Sequence, residues 1–305
     1  MCEICDCSNG LRHLGQANCP ALFASAYKFV FTPYFKSDGT VNVWDLSANP
    51  TVVKATFTAK LTATEPWIPS PQVLNYDTER AEAKLETFDN DTVKEYVQDG
   101  ERTVKGIWTK VPANLAETIK GYNCSDVGFY IIDKAGNLIG MQYDYKKLAP
   151  IRIQKGSFFT NFMTRVGTAI RVQQAMVSFA FDPSECDGEL KMFSAKDIAD
   201  GYDLKQLNGL IQVDLVPFAA ATSTTLSLAA DTGQGSIATP INVEGLGATD
   251  FVITNVTTAA TVSKTLTEVN GQYVLTFSAQ TTGDIGKVVC TKAGYKFAQY
   301  NFKFA

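Results

Sequence analysis

The sequence predicts a mainly β protein in two parts: a β-sandwich or barrel with one flanking helix, then an immunoglobulin-like β-sandwich. Three observations carry this. Short apolar-alternating runs punctuated by turn residues fill the chain. One segment of helical length, residues 112–121, bears start and stop signals. Composition also breaks near residue 219: residues 1–218 hold 22 Lys/Arg, 26 Asp/Glu and all three tryptophans, whereas 219–305 hold five of each charge and are rich in Thr, Ala, Val and Gly. The small-residue stretch 218–225 reads as a linker, giving domains 1–218 and 219–305.

In the first part, residues 27–35 and 41–45 flank the turn Ser37-Asp38-Gly39. Residues 52–62 set Val53, Ala55, Phe57 and Ala59 against Lys54, Thr56, Thr58 and Lys60, the period of a strand. Residues 65–71 hold three prolines and cannot form a central strand, because proline lacks the ladder donor. A meander follows over 81–88, 92–98 and 102–109. A helix over 77–88 is the competing reading, but Ala81, Ala83 and Leu85 alternate. The helix at 112–121 opens on Pro112, spaces Leu115 and Ile119 four apart, and closes on Lys120 and Gly121. Residues 128–133 and 138–143 form a hairpin over 134–137. Strands follow at 150–154, 157–164 and 170–181, then a short capped helix at 194–197, and 209–216 as the last strand.

In the second part, strands are expected at 225–229, 241–246, 251–257, 264–269, 272–278, 287–291 and 296–304. Tyr273, Leu275 and Phe277 alternate with Val274, Thr276 and Ser278, and Asn270-Gly271 favours a type I′ turn. About seven short strands in this length are the pattern of an immunoglobulin-like sandwich, without the Cys…Trp…Cys signature of antibody domains.

The bulk numbers bound the function. At 45% hydrophobic and 19% charged, the 305-residue chain is a folded one. A net charge of −4 and a pI near 5.2 argue against a broad nucleic-acid-binding face or a polybasic membrane patch. No run approaches the ~20 apolar residues of a membrane span. Glu3 and Asp6 stand where a secretory signal would be basic. Synthesis in a cytoplasm with reduced thiols is therefore expected, and seven cysteines make a poor disulfide framework.

Catalytic patterns are scarce. The single histidine, His13, leaves a Ser-His-Asp triad without a base. Asp231-Thr-Gly233 lacks the second loop of an aspartic protease and reads as a polar turn. Gly245-Leu-Gly247 lacks the context of a dinucleotide loop, and Asp89-Asn-Asp91 has Lys94 and Gly100 where a calcium loop needs glycine and glutamate. Glu82 and Glu86 share one strand face rather than a cleft. Cys2, Cys5, Cys7, His13 and Cys19 give five soft ligands, but the C-x-C step is tight for zinc, and two C-x2-C pairs are not present. The expectation is a thiol-bearing arm packing on a neighbour, with bound metal the alternative. No catalytic, cofactor-binding or metal residue is assigned, and no enzyme activity is expected.

Several segments together resemble a known family. They are the Cys-rich start running into residues 18–22, the hairpin 28–40, Glu79-Arg-Ala-Glu82, Glu86-Thr-Phe88, and residues 97–104 and 133–140. Over about residues 1–215 the chain resembles virion structural proteins of tailed phages of gut Bacteroidales, in particular ring-forming collar or tail proteins of the crAss-like phages. That resemblance implies a tail-tube-like β-sandwich assembled into a homo-oligomeric ring around the DNA channel. Other tail, portal or collar proteins would be its partners, DNA would pass without specific binding, there would be no membrane insertion, and the protein would reside in the virion. The competing readings are a bacterial surface adhesin or pilus-like subunit, and a two-carboxylate glycan hydrolase. Under the ring reading, Trp67 and Ile68 are expected as contact anchors. Glu82, Glu86, Asp89, Asp91, Glu95, Asp99 and Glu101, set against Lys84, Lys94 and Arg102, are expected to line an acidic lumen.

Overall fold

The structure, a computed structural model, describes residues 23–48, 51–88, 93–98, 100–109, 111, 113–163, 173–185 and 187–305. The chain is mainly β and divides into two units, Met1–Gly209 and Leu210–Ala305.

The first unit runs β1 (Ala26–Pro33), β2 (Trp44–Asp45), α1 (Lys54–Lys60), β3 (Ile68–Pro69), β4 (Val73–Arg80), β5 (Lys84–Phe88), β6 (Val93–Gln98) and β7 (Arg102–Thr109). After α2 (Ala113–Gly121) come β8 (Val127–Asp133), β9 (Leu138–Asp144), β10 (Lys147–Ala149), β11 (Ile151–Arg152), β12 (Phe159–Met163), β13 (Gln174–Ala180) and β14 (Leu190–Phe193). One sheet has the order β2-β10-β9-β8-β1-β3, with β11 on β8 and β14 on β9; the second has the order β12-β13-β7-β4. Between them lies a core of Phe29, Phe31, Val104, Trp108, Phe129, Ile131, Phe158, Val177 and Phe179.

The larger sheet is covered on its other face too. Val30, Tyr130, Ile132, Leu138 and Leu148 pack there with Trp44, Phe57, Trp67, Phe193 and Leu204. Successive side chains of a strand point to opposite faces, so β8, Val-Gly-Phe-Tyr-Ile-Ile-Asp, feeds both cores and is buried along its whole length. Asp133 at its end is buried because it accepts from Asn137 N and Nδ2, both at 2.9 Å.

Helix α1 corrects the strand expected over 52–62. Val53, Thr56, Phe57 and Lys60 are the more covered positions, whereas Ala55 and Ala59 are exposed. That 3-1-3 spacing is helical. The alternation of small Ala with Thr and Lys imitated a strand, and the fit of Phe57 against Trp44 and Trp67 decides the matter. The expected helix at 112–121 is present as α2, and the capped turn appears as a 3-10 helix, Ala195–Asp197, whose Ser194 side chain accepts from Lys196 N. Strand β4 occupies Val73–Arg80, ahead of the first strand expected in the meander.

The second unit comprises β15 (Ile211–Pro217), β16 (Thr225–Ser236), β17 (Thr239–Asn242), β18 (Phe251–Asn255), β19 (Ala260–Val262), β20 (Lys264–Val269), β21 (Gln272–Phe277), β22 (Ile285–Cys290), β23 (Tyr295–Phe297) and β24 (Tyr300–Lys303). Two sheets, β20-β21-β16-β15-β23 and β19-β18-β22-β24, enclose Leu226, Leu228, Tyr273, Leu275, Ile253, Val288, Phe302 and other apolar residues. Asn270 and Gly271 both have positive φ, 52° and 70°, as a type I′ turn requires. The boundary expected after Phe218 moves to 209/210. Strand β15, expected to end the first domain, pairs with β16 and β23 and buries Val213 and Leu215 in the second core. The small-residue stretch is thus a loop inside the second unit.

Candidate assembly interface

Strands β4 and β7 pair as far as Arg80 opposite Arg102. The chain between them continues as a second ribbon, β5 paired with β6. At the joint, Ala81 N donates to Glu101 O at 2.9 Å, and a Cβ on Gly100 would stand 1.8 Å from Ala81 O. Only glycine permits that backbone approach. Two arginines directly opposite in register repel. Asp187, from the short 3-10 turn Asp187–Glu189, answers this by accepting from Arg80 at 2.6 Å and from Arg102. The Arg102 guanidinium also lies 4.4 Å over the Phe181 ring. A cavity of about 160 Å³ at the joint is lined by Arg80, Lys84, Arg102, Asp182 and Glu185.

Beyond the joint, β5 and β6 pair only with each other among the described residues. Leu85 is 54% exposed and Val97 49%. A two-stranded ribbon is marginal in water by itself, and among the described residues nothing else in the chain pairs with this arm. The sheet it extends ends, at the opposite edge, in β12, where Phe159 is 55% exposed. The larger sheet is different. Its edges are a two-residue β2 and a β3 hemmed by Pro66, Pro69 and Pro71, both devices that blunt edge pairing.

Beside the joint, Glu185 Oε1 accepts from Arg152 N at 2.9 Å. Burial nevertheless pushes its carboxyl up to about 7, and the nearby Asp182 and Glu189 add to that rise. The Arg152 guanidinium lies over the Tyr34 and Phe35 rings and reaches Asp126 at 3.4 Å and Asp182 at 3.6 Å. Burial, with Glu185 adding, pushes Tyr34 up to about 12.

The residues singled out from sequence scatter. Trp67 is buried in its own unit, its ring 5.1 Å from Tyr130 and 5.8 Å from Trp44, so it is a core residue rather than a contact anchor. Ile68, in β3, is half-exposed. Glu82 lies in the break between β4 and β5, off any strand face, while Glu86 is in β5; both are exposed, as is Glu101. Asp89, Asp91 and Asp99, and the Cys2, Cys5, Cys7, His13 and Cys19 group, lie outside the described residues, as does Cys186. Cys124 is an exposed free thiol, and burial pushes Cys290 up to about 12. Asp231 Oδ1 accepts from Gly233 N at 2.8 Å, the polar turn that was expected, although it lies within β16. The Gly245 and Gly247 amides donate to Glu268 and Asp250, so both donors already serve carboxylates. Gly100, Asp187 and Phe159 had not been singled out. Gly100 falls between two expected strands of the meander, and nothing local ties Asp187 to arginines far away in sequence.

No family model and no curated protein matches the chain. Among solved structures it is similar to a chain in the cryo-EM structure of the anti-feeding prophage (AFP) baseplate, 6-fold symmetrised. The identity is 7% and the TM-score 0.25, over 59% of this chain and 99% of that one.

Proposed function

We propose that this is a non-enzymatic virion structural protein that assembles head-to-tail into a ring in the collar or tail of a tailed phage, around the DNA channel. The observation that carries the reading is the presence of two unlike exposed apolar features in one unit. The two-stranded arm exposes Leu85 and Val97, and β12, an edge of the four-stranded sheet, exposes Phe159. A contact between different patches of identical subunits generates a closed ring when the rotation closes. The sequence resemblance over residues 1–215 supports the virion setting, and an appended immunoglobulin-like sandwich fits a phage decoration. In the ring, Glu82, Glu86 and Glu101 face the lumen, because cationic contacts to phosphates would hold the duplex rather than let it slide. Sedimentation of the full-length chain tests the reading. A cyclic oligomer that falls to monomer when Leu85 and Val97 are both changed to Asn supports it. A wild-type monomer at assembly concentrations, or a ring lined by Lys and Arg, contradicts it.

A further inference from the structure

The two outer faces of the second sandwich differ in charge. Side chains of a strand alternate between faces, so the residues between the buried ones point outward. Across β20, β21 and β16 one outward row holds Thr265, Thr276 and Thr225, and the next holds Thr267, Val274 and Ser227. A third row adds Val269, Gln272, Ala229 and, from β15, Val216. None of these side chains is charged, whereas a protein surface is usually about a quarter to a third charged. The fourth row holds Asn242, Asp231 and Asp214, and a cation enters only at the β23 edge, as Lys296 beside Gln212. On the other sheet, Val252 stands opposite Val289, Thr254 opposite Lys287, and Ile285 opposite Lys303, with no carboxylate in these rows. Asp214 and Asp231 are directly opposite in register, a like-charge pair that costs stability. Among the described residues, neither they nor Lys287 and Lys303 have an ion-pair partner.

We propose that the second units of successive copies stack head-to-tail, the face of Asp214 and Asp231 in one against the face of Lys287 and Lys303 in the next. Each like-charged pair then meets the opposite charge. The uncharged Thr, Ser and Val rows meet Val252, Val256 and Ile285, which are 45%, 49% and 51% exposed. Stacked sheets lie about 10 Å apart, a spacing that these short side chains suit. The two faces are different surfaces of one sandwich, so the contact repeats from copy to copy and is compatible with a ring. About a dozen side chains on such a face cover roughly 400 Å², half of the ~800 Å² per partner of a standard interface. The contact is therefore weak alone and gains strength where another contact already holds the copies together. It needs neither the β5–β6 arm nor β12.

Sedimentation equilibrium of the full-length chain carrying Leu85→Asn and Val97→Asn tests this, because that parent lacks the arm contact. At low salt, and at concentrations above those at which the ring forms, the parent is expected to self-associate weakly, and less so as added salt screens the charges. Lys287→Glu with Lys303→Glu should weaken the association at least about tenfold, and Asp214→Lys with Asp231→Lys likewise. All four changes in one chain make the faces opposite again, so association should return to within about threefold of the parent. A folding defect would not be rescued in this way. Asp231→Lys also removes the acceptor of Gly233 N, so Asp214→Lys alone replaces that pair if its thermal unfolding shows a damaged fold. A parent that stays monomeric, an association indifferent to salt and to both reversals, or a four-fold variant no better than either pair overturns the proposal. A wild-type chain that forms no ring while the parent still associates would remove the arm contact and leave this one standing.

Discussion

Two β-ribbons of the first unit behave in opposite ways. The β1–β8 pair is buried on both faces, and nearly every side chain has a core to enter. The β5–β6 arm is also a paired antiparallel ribbon, yet its described side chains face solvent. The difference teaches that strand patterning states which residues pair, while position in the sheet decides whether a core waits for them. The central ribbon is stabilised by its own chain. Among the described residues the arm pairs only with itself, which is why the proposed assembly contact is placed there.

Four changes sharpen or break that contrast. Phe129→Ala removes a fully buried ring in contact with Phe29, Phe179 and Phe181; denaturant unfolding should show a loss of about 3–5 kcal/mol. Gly100→Val drives a side chain into the Ala81 carbonyl. A loss of about 1–3 kcal/mol is expected, together with failure to assemble, measured by unfolding and sedimentation. For Glu185, burial raises the folded pKa from 4.5 to about 7. Between those values the folded state holds a proton that the unfolded state has released, so this group's contribution to stability falls as pH rises from about 4.5 to 7 and is level above that. Thermal unfolding across that range should show the decline, and Glu185→Gln should flatten it. Changing Leu85 and Val97 to Asn should alter monomer stability by no more than about 0.5 kcal/mol while abolishing the oligomer. A large loss of monomer stability there would mean the arm belongs to the core after all.

Much of the sheet framework was legible because local chemistry governs it. Asn270-Gly271 fixes a turn whatever surrounds it, and the β8–β9 hairpin follows from two apolar runs on either side of the Lys134–Asn137 turn. What failed depended on distant partners. Residues 54–60 become helix because Phe57 fits between tryptophans contributed by other segments. Strand β15 joins the second unit through pairing with Tyr295–Phe297, some eighty residues later. Trp67 looked like an exposed anchor between prolines because the aromatic core that receives it is assembled from four separate segments. The arm was legible as two strands, but its isolation was not, since the Gly100 crossing and the Asp187 clamp exist only once the sheet has formed.

The most direct test of the account is electron cryo-microscopy of the assembled full-length protein. The account predicts a closed ring in which the β5–β6 arm of each subunit lies against β12 and Phe159 of the next. Monomers alone, or a ring whose contacts leave both the arm and β12 in solvent, would contradict it.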